Sequence, residues 1–187
     1  MKKTYEFEVV QQDCPESPRE WDNVTTMLCF HKRYNLGDKN PYSSNEFDSW
    51  DEFEQQIKRD YKRYIIKPLY LYDHSGITIS TSPFGCQFDS GQVGFIFIEE
   101  KKWKMCMGET EVTEERMLDI IENEVKTYDQ YLTGEVYGYK IFEVETCDKG
   151  HEHKTEIDSC WGYYGEESCE QEAQSIINHY QSKLEVC

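Results

Sequence analysis

The sequence is short of positive charge: 20 Lys and Arg stand against 37 Asp and Glu, a formal net charge of -17. A chain of that sign repels a phosphate backbone, so direct non-specific binding of nucleic acid is unfavourable. Long apolar runs are lacking as well. None approaches the roughly 20 residues that cross a bilayer as a helix, and no membrane partner is expected. Walker, GxGxxG, HExxH and GxSxG patterns are all missing, which removes the commonest cofactor-binding and hydrolase routes. The expectation is a protein with no cofactor and no catalytic residues of its own.

What is present suffices for a core. With 37% hydrophobic and 14% aromatic residues, residues 1–187 read as one ordinary domain rather than a disordered segment. The acidity is uneven. Residues 1–98 carry 15 acids against 11 bases, and residues 99–187 carry 22 against 9, net charges of -4 and -13. The basic run KRDYKRYIIK, Lys58–Lys67, suits a helix C-terminus, where the macrodipole favours cations. The opening MKKTYEFEVV alternates like a strand, with Glu6 and Glu8 interrupting what would be the apolar stretch of a signal peptide. A cytoplasmic location is therefore expected, with the eight cysteines kept mostly as thiols.

Periodicity predicts an α+β fold, mainly antiparallel sheet with about three amphipathic helices. Strands are expected at Tyr5–Val10, Val24–Phe30, Leu69–Asp73, Ile77–Thr81, Val93–Ile98, over VYGYKIFEVE, and around Lys154–Cys160. The first helix starts at a capping box, Ser49 with Glu52, carries Tyr61 and Tyr64 in its stripe, and is expected to end at Pro68. The second spans Thr113 to Leu132, burying Met117, Ile121, Val125, Tyr128 and Leu132 and leaving Glu115, Asp119, Glu122 and Asp129 mostly outward. A third opens at Ser168 with Gln171 and buries Ala173, Ile176, Ile177, Tyr180 and Leu184.

Three constellations carry residue types that can do chemistry. YDHSGITISTSPFGCQFDSGQVGFIFI, Tyr72–Ile98, places Asp73, His74 and Ser75 in a row, but a triad is assembled from separated positions, and this run reads as a turn eased by Gly76. Cys86 is either a structural thiol or, if His74 lies close, a nucleophile in a pocket with Asp89. Cys147, His151, His153 and Cys160 are all zinc ligand types, yet C-x3-H-x-H-x6-C lacks the paired spacings of structural zinc sites, and no metal is expected. Finally DSCWGYYG, Asp158–Gly165, is dense in aromatics. These serve either sheet packing or, with Trp161, Tyr163 and Tyr164, a protein-binding anchor.

WDNVTTMLCFHKRYNLGD, PLYLYDHSGITISTSPFGCQFDSGQVGFIFI, EVKTYDQYLTGEVYGY and DSCWGYYG resemble a family of uncharacterised bacteriophage and mobile-element proteins, over most of Trp21 to Gly165. The resemblance implies a genetic setting rather than a reaction. In size and charge such accessory proteins are similar to anti-CRISPR and anti-restriction inhibitors, some of which act as DNA mimics in a basic channel. The expected function is thus a non-enzymatic viral inhibitor of a nucleic-acid-handling host defence protein, such as a CRISPR effector or restriction enzyme, inside an infected bacterium. Its acidic face would be Glu115, Asp119, Glu122, Asp129, Glu166, Glu167, Glu170 and Glu172. The alternatives are a small phage enzyme around His74, Cys86 and Asp89, or a structural or assembly protein.

Overall fold

Alternating apolar and polar side chains draw Lys2–Gln11 into a strand, β1, and the same periodicity sets most of the strands that follow. The computed structural model describes residues 2–108 and 113–185. Among them four helices and seven strands build two antiparallel sheets, an α+β fold. The chain divides into two compact units, Ser17–Thr133 and Met1–Glu16 with Gly134–Cys187. No described helix is long and apolar enough to cross a membrane.

In the unit Ser17–Thr133, strands β2 (Thr25–Cys29), β3 (Arg63–Asp73), β4 (Ile77–Ser80) and β5 (Ser90–Glu99) lie in the order β2-β5-β3-β4. Strands β3 and β4 pair antiparallel across the His74 turn, and β5 returns beside β3, which leaves β4 at the edge. Helix α1 (Trp50–Asp60) buries Phe53 and Ile57 against Leu28, Phe95 and Phe97 on one face. On the other face α2 (Glu100–Met107) and α3 (Glu114–Thr133) set Trp103, Met117, Ile121 and Val125 against Met27, Leu69, Ile96 and Ile98. Gly94 is required where β2 meets β5, because a Cβ there would lie 2.0 Å from the Leu28 carbonyl oxygen.

Helix starts follow the sequence better than helix ends. Ser49 Oγ accepts from the Glu52 amide at 3.2 Å, and the Glu52 carboxylate accepts from the Asp48 amide at 2.8 Å. Helix α1 nevertheless ends at Asp60, with Tyr61 already extended, and Pro68 lies inside β3. Ile65 and Ile66 pair with Ile98 and Phe97, so sheet burial outweighs the helical spacing of Tyr61 and Tyr64. Pro68 is tolerated because β4 pairs only with Tyr70–Asp73, leaving that stretch of β3 an open edge that needs no donor. Helix α2 was absent from the periodicity because Trp103 is its sole buried side chain.

In the other unit β1, β6 (Val136–Thr146) and β7 (Glu152–Tyr164) are ordered β1-β6-β7, and α4 (Glu166–Glu185) covers one face. Cys169, Ala173 and Ile177 of α4 pack on Tyr139 and Ile141. The helix opens at Glu166 directly after Gly165, whose φ of 92° makes the turn, so Ser168 lies within the helix instead of capping it. Ile176 and Tyr180 are partly buried beside this core, and the Leu184 side chain lies outside the described residues.

Candidate functional site

Helix α3 presents Glu115, Asp119 and Glu122 exposed on successive turns. At 1.5 Å rise per residue, these three carboxylates span about 10 Å of one stripe. Asp129 departs from the expectation. Its Oδ1 accepts from Thr78 Oγ1 at 2.6 Å and from the Ile79 amide at 2.7 Å, so it faces the sheet and blunts the edge strand β4. Helix α4 exposes Glu166, Glu167, Glu170 and Glu172. None of these seven exposed carboxylates forms an ion pair among the described residues.

The aromatic anchor separates into three fates. Tyr163 packs on Tyr139 at 5.7 Å under α4, and Tyr164 donates its hydroxyl to the Glu16 carbonyl at 2.6 Å. Only Trp161 is open, at 43% exposure. Gly162, at φ 87°, is the extra residue of a β-bulge between Tyr163 and Trp161, which sends the indole over Gly138. A Cβ at Gly138 would sit 2.1 Å from that ring.

Around the β3–β4 joint the structure does gather His74, Cys86 and Asp89, but through the carboxylate. His74 Nδ1 lies 3.3 Å from Asp89 Oδ2, and Cys86 Sγ donates to the same oxygen at 3.6 Å. The thiol's proton therefore faces a carboxylate, and no imidazole is paired with the sulfur as a general base. Asp73 is held by Arg33 and by the Tyr34 hydroxyl at 3.4 Å rather than by turn amides. The left-handed turn residue is Ser75, at φ 61°, and not Gly76.

Cys147, His151, His153 and Cys160 do not converge. The first two bracket the β6–β7 turn, where the Cys147 amide donates to the His151 carbonyl at 3.0 Å. Cys160 lies seven residues beyond His153 along β7, about 23 Å at the strand rise. No group of three or more ligand side chains that could hold a metal exists among the described residues. The Cys147 thiol is lowered by the backbone amides of Lys149 and His151, whereas burial pushes Cys29 up to about 12 and Cys169 up to about 11.

Two further features were not legible as sites. Arg19, whose side chain is 3% exposed, makes a paired contact with Asp38 at 2.9 Å and 2.9 Å and reaches Glu124 at 2.9 Å. Its remaining N–H groups go to Thr25, at Oγ1 and at the carbonyl, which leaves no donor for a ligand. Burial opposes the guanidinium's charge, but Asp38 and then Glu124 outweigh it and raise its pKa. The second feature is a cavity of ≈ 490 Å³ at the N-terminal end of α1, floored by Phe30, Phe47, Trp50 and Phe53. These aromatics are scattered over three segments, so no local pattern announces them.

Fold and surfaces together define a two-unit α+β protein with acidic helix faces and, among the described residues, no imidazole paired with a thiol around His74. Set against protein families, curated proteins and solved structures, the chain matches none of them.

Proposed function

We propose that this protein is a non-enzymatic, phage-encoded inhibitor that binds a host nucleic-acid-handling defence protein, such as a CRISPR effector or restriction enzyme, in the cytoplasm of an infected bacterium. The observation that carries this reading is the set of seven exposed carboxylates on α3 and α4 without a cationic partner among the described residues. Carboxylates already paired within the chain have little charge left for a partner, whereas these present theirs in full. Facing a basic channel, the carboxylates of either helix speed encounter and exclude phosphates, and Trp161, in the same unit as α4, offers the desolvated contact that charge alone lacks. A further support is that Cys86 donates to Asp89 instead of pairing with His74, so the Cys–His dyad expected of an enzyme at this joint is not formed among the described residues.

The test is capture of the partner from host lysate followed by competition with DNA or guide RNA at rising salt. Lysine replaces Glu115, Asp119 and Glu122 in one variant and Glu166, Glu167, Glu170 and Glu172 in another. At least one set is expected to slow association by tenfold or more, and salt to weaken the wild-type complex. A captured partner indifferent to salt and to both sets would rule out phosphate mimicry.

A further inference from the structure

The cavity at the start of α1 is independent of the acidic faces, and its chemistry is specific. His31 forms part of its wall, and His31 Nδ1 accepts from the backbone amides of Arg33, at 3.3 Å, and Tyr34, at 3.2 Å. The ring is also stacked on Tyr34 at 4.9 Å with planes 13° apart. With Nδ1 committed as an acceptor, the neutral imidazole carries its proton on Nε2, and that N–H has no partner among the described residues. Two more side chains of the lining are charged and unpaired among the described residues: Lys32 and Asp48. The lining thus offers an aromatic floor, one free ammonium, one fixed N–H donor and one free carboxylate.

We propose that this cavity binds a small zwitterionic aromatic molecule of the size of a free aromatic α-amino acid. Its ring lies on the Phe47 and Trp50 side chains, its carboxylate takes the Lys32 ammonium and the His31 Nε2–H, and its ammonium takes the Asp48 carboxylate. The volume of ≈ 490 Å³ lies within the range of small-molecule pockets, about 300–1,000 Å³. A purely anionic aromatic would leave Asp48 beside it without a counter-charge, and a purely cationic one would do the same for Lys32. Cys29, also in the wall, is an inert contact because burial pushes its thiol up to about 12.

Four probes of one size separate these contributions by calorimetric titration: L-phenylalanine, 3-phenylpropionate without the ammonium, phenethylamine without the carboxylate, and cyclohexylalanine without the aromatic ring. Phenylalanine is expected to bind tightest, with each of the others weaker by threefold or more. Lys32→Gln is expected to weaken phenylalanine and phenylpropionate but not phenethylamine, and Asp48→Asn to weaken phenylalanine and phenethylamine but not phenylpropionate. Both residues are exposed, so neither substitution disturbs the core. Absence of saturable binding by every probe would overturn the proposal, as would equal binding of all four unaffected by either substitution. Phe88, 100% exposed, supplies the competing occupant. A concentration-dependent dimer in sedimentation that Phe88→Ser abolishes and phenylalanine dissociates would assign the cavity to a second copy of the chain instead. The acidic helix faces enter neither outcome, so failure here leaves the inhibitor reading standing.

Discussion

Arg19 shows what one residue can fix that its neighbours in sequence do not announce. All five of its N–H groups are used, on Asp38, Glu124 and Thr25, and Glu124 additionally accepts from the Val24 amide at 2.9 Å while Asp38 accepts from the Met27 amide at 2.9 Å. The guanidinium thus ties α3 and the loop after β2 to the first turn of the unit. Replacing it by Met would leave two part-buried carboxylates facing each other's charge. Breaking a buried pair costs about 3–5 kcal/mol, and water reaching Asp38 and Glu124, at 19% and 17% side-chain exposure, puts this case near the lower figure. Urea unfolding should show Arg19→Met less stable by about 3 kcal/mol, with much of the loss recovered when Asp38→Asn and Glu124→Gln are added. Recovery failing while the single variant is unstable would mean that the packing of the arginine stem, not its charge, is what matters. None of this was readable from PESPREW, because partners at 38 and 124 leave no periodic trace near position 19.

At the scale of elements, legibility followed locality. The α3 stripe is buried at Met117, Ile121, Val125 and Tyr128 as its spacing predicts, with Leu132 only partly buried at its end, and Thr113 Oγ1 accepts from the Arg116 amide at 3.3 Å. Periodicity cannot show which strand lies beside which: β1 pairs with β6 although all of Ser17–Thr133 lies between them in sequence, and β5 pairs with β3 rather than with β4, the strand before it. It also cannot tell which acid on an amphipathic helix has found an amide. Asp129 sits one turn from the end of α3 in the same acidic spacing as Glu122, yet it holds Thr78 and the edge-strand amide of Ile79. Asp129→Ala is expected to destabilise by about 1–3 kcal/mol, the range for leaving buried groups unsatisfied, and to speed hydrogen exchange at Ile79. Glu122→Ala and Asp119→Ala should stay within about 0.5 kcal/mol of wild type, as exposed substitutions do. Equal effects at all three would return Asp129 to the acidic face.

For the molecule as a whole, the two units carry charge at different densities. Met1–Glu16 with Gly134–Cys187 holds 16 acids and 6 bases, net -10 over 70 residues, against 21 and 14, net -7 over 117 residues, for Ser17–Thr133. The sequence halves had already shown the asymmetry, but the strand order, which returns β1 to β6, decides where it resides. Salt acts differently on the charges involved. Ion pairs such as Lys62–Glu100 at 2.5 Å and Lys3–Glu143 at 2.9 Å are far shorter than the screening length, about 30 Å at 0.01 M and about 8 Å at 0.15 M. Repulsions among carboxylates separated by more than about 8 Å and less than about 30 Å fall between those lengths and are the ones that salt increase removes. Stability should therefore rise, with an unfolding midpoint higher by a few degrees at 0.15 M than at 0.01 M, read by circular dichroism. Glu170→Lys with Glu172→Lys should raise the midpoint at low salt and flatten its salt dependence. These two lie beyond the first turn of α4, where the macrodipole no longer favours an acid. A midpoint that falls with salt would mean that the short pairs dominate and that the excess acid is not a strain on the fold. If the lysine variant is more stable, as expected, and captures the proposed host partner more weakly, those carboxylates oppose folding and serve binding, which separates a functional acidic face from one that only keeps the chain in solution.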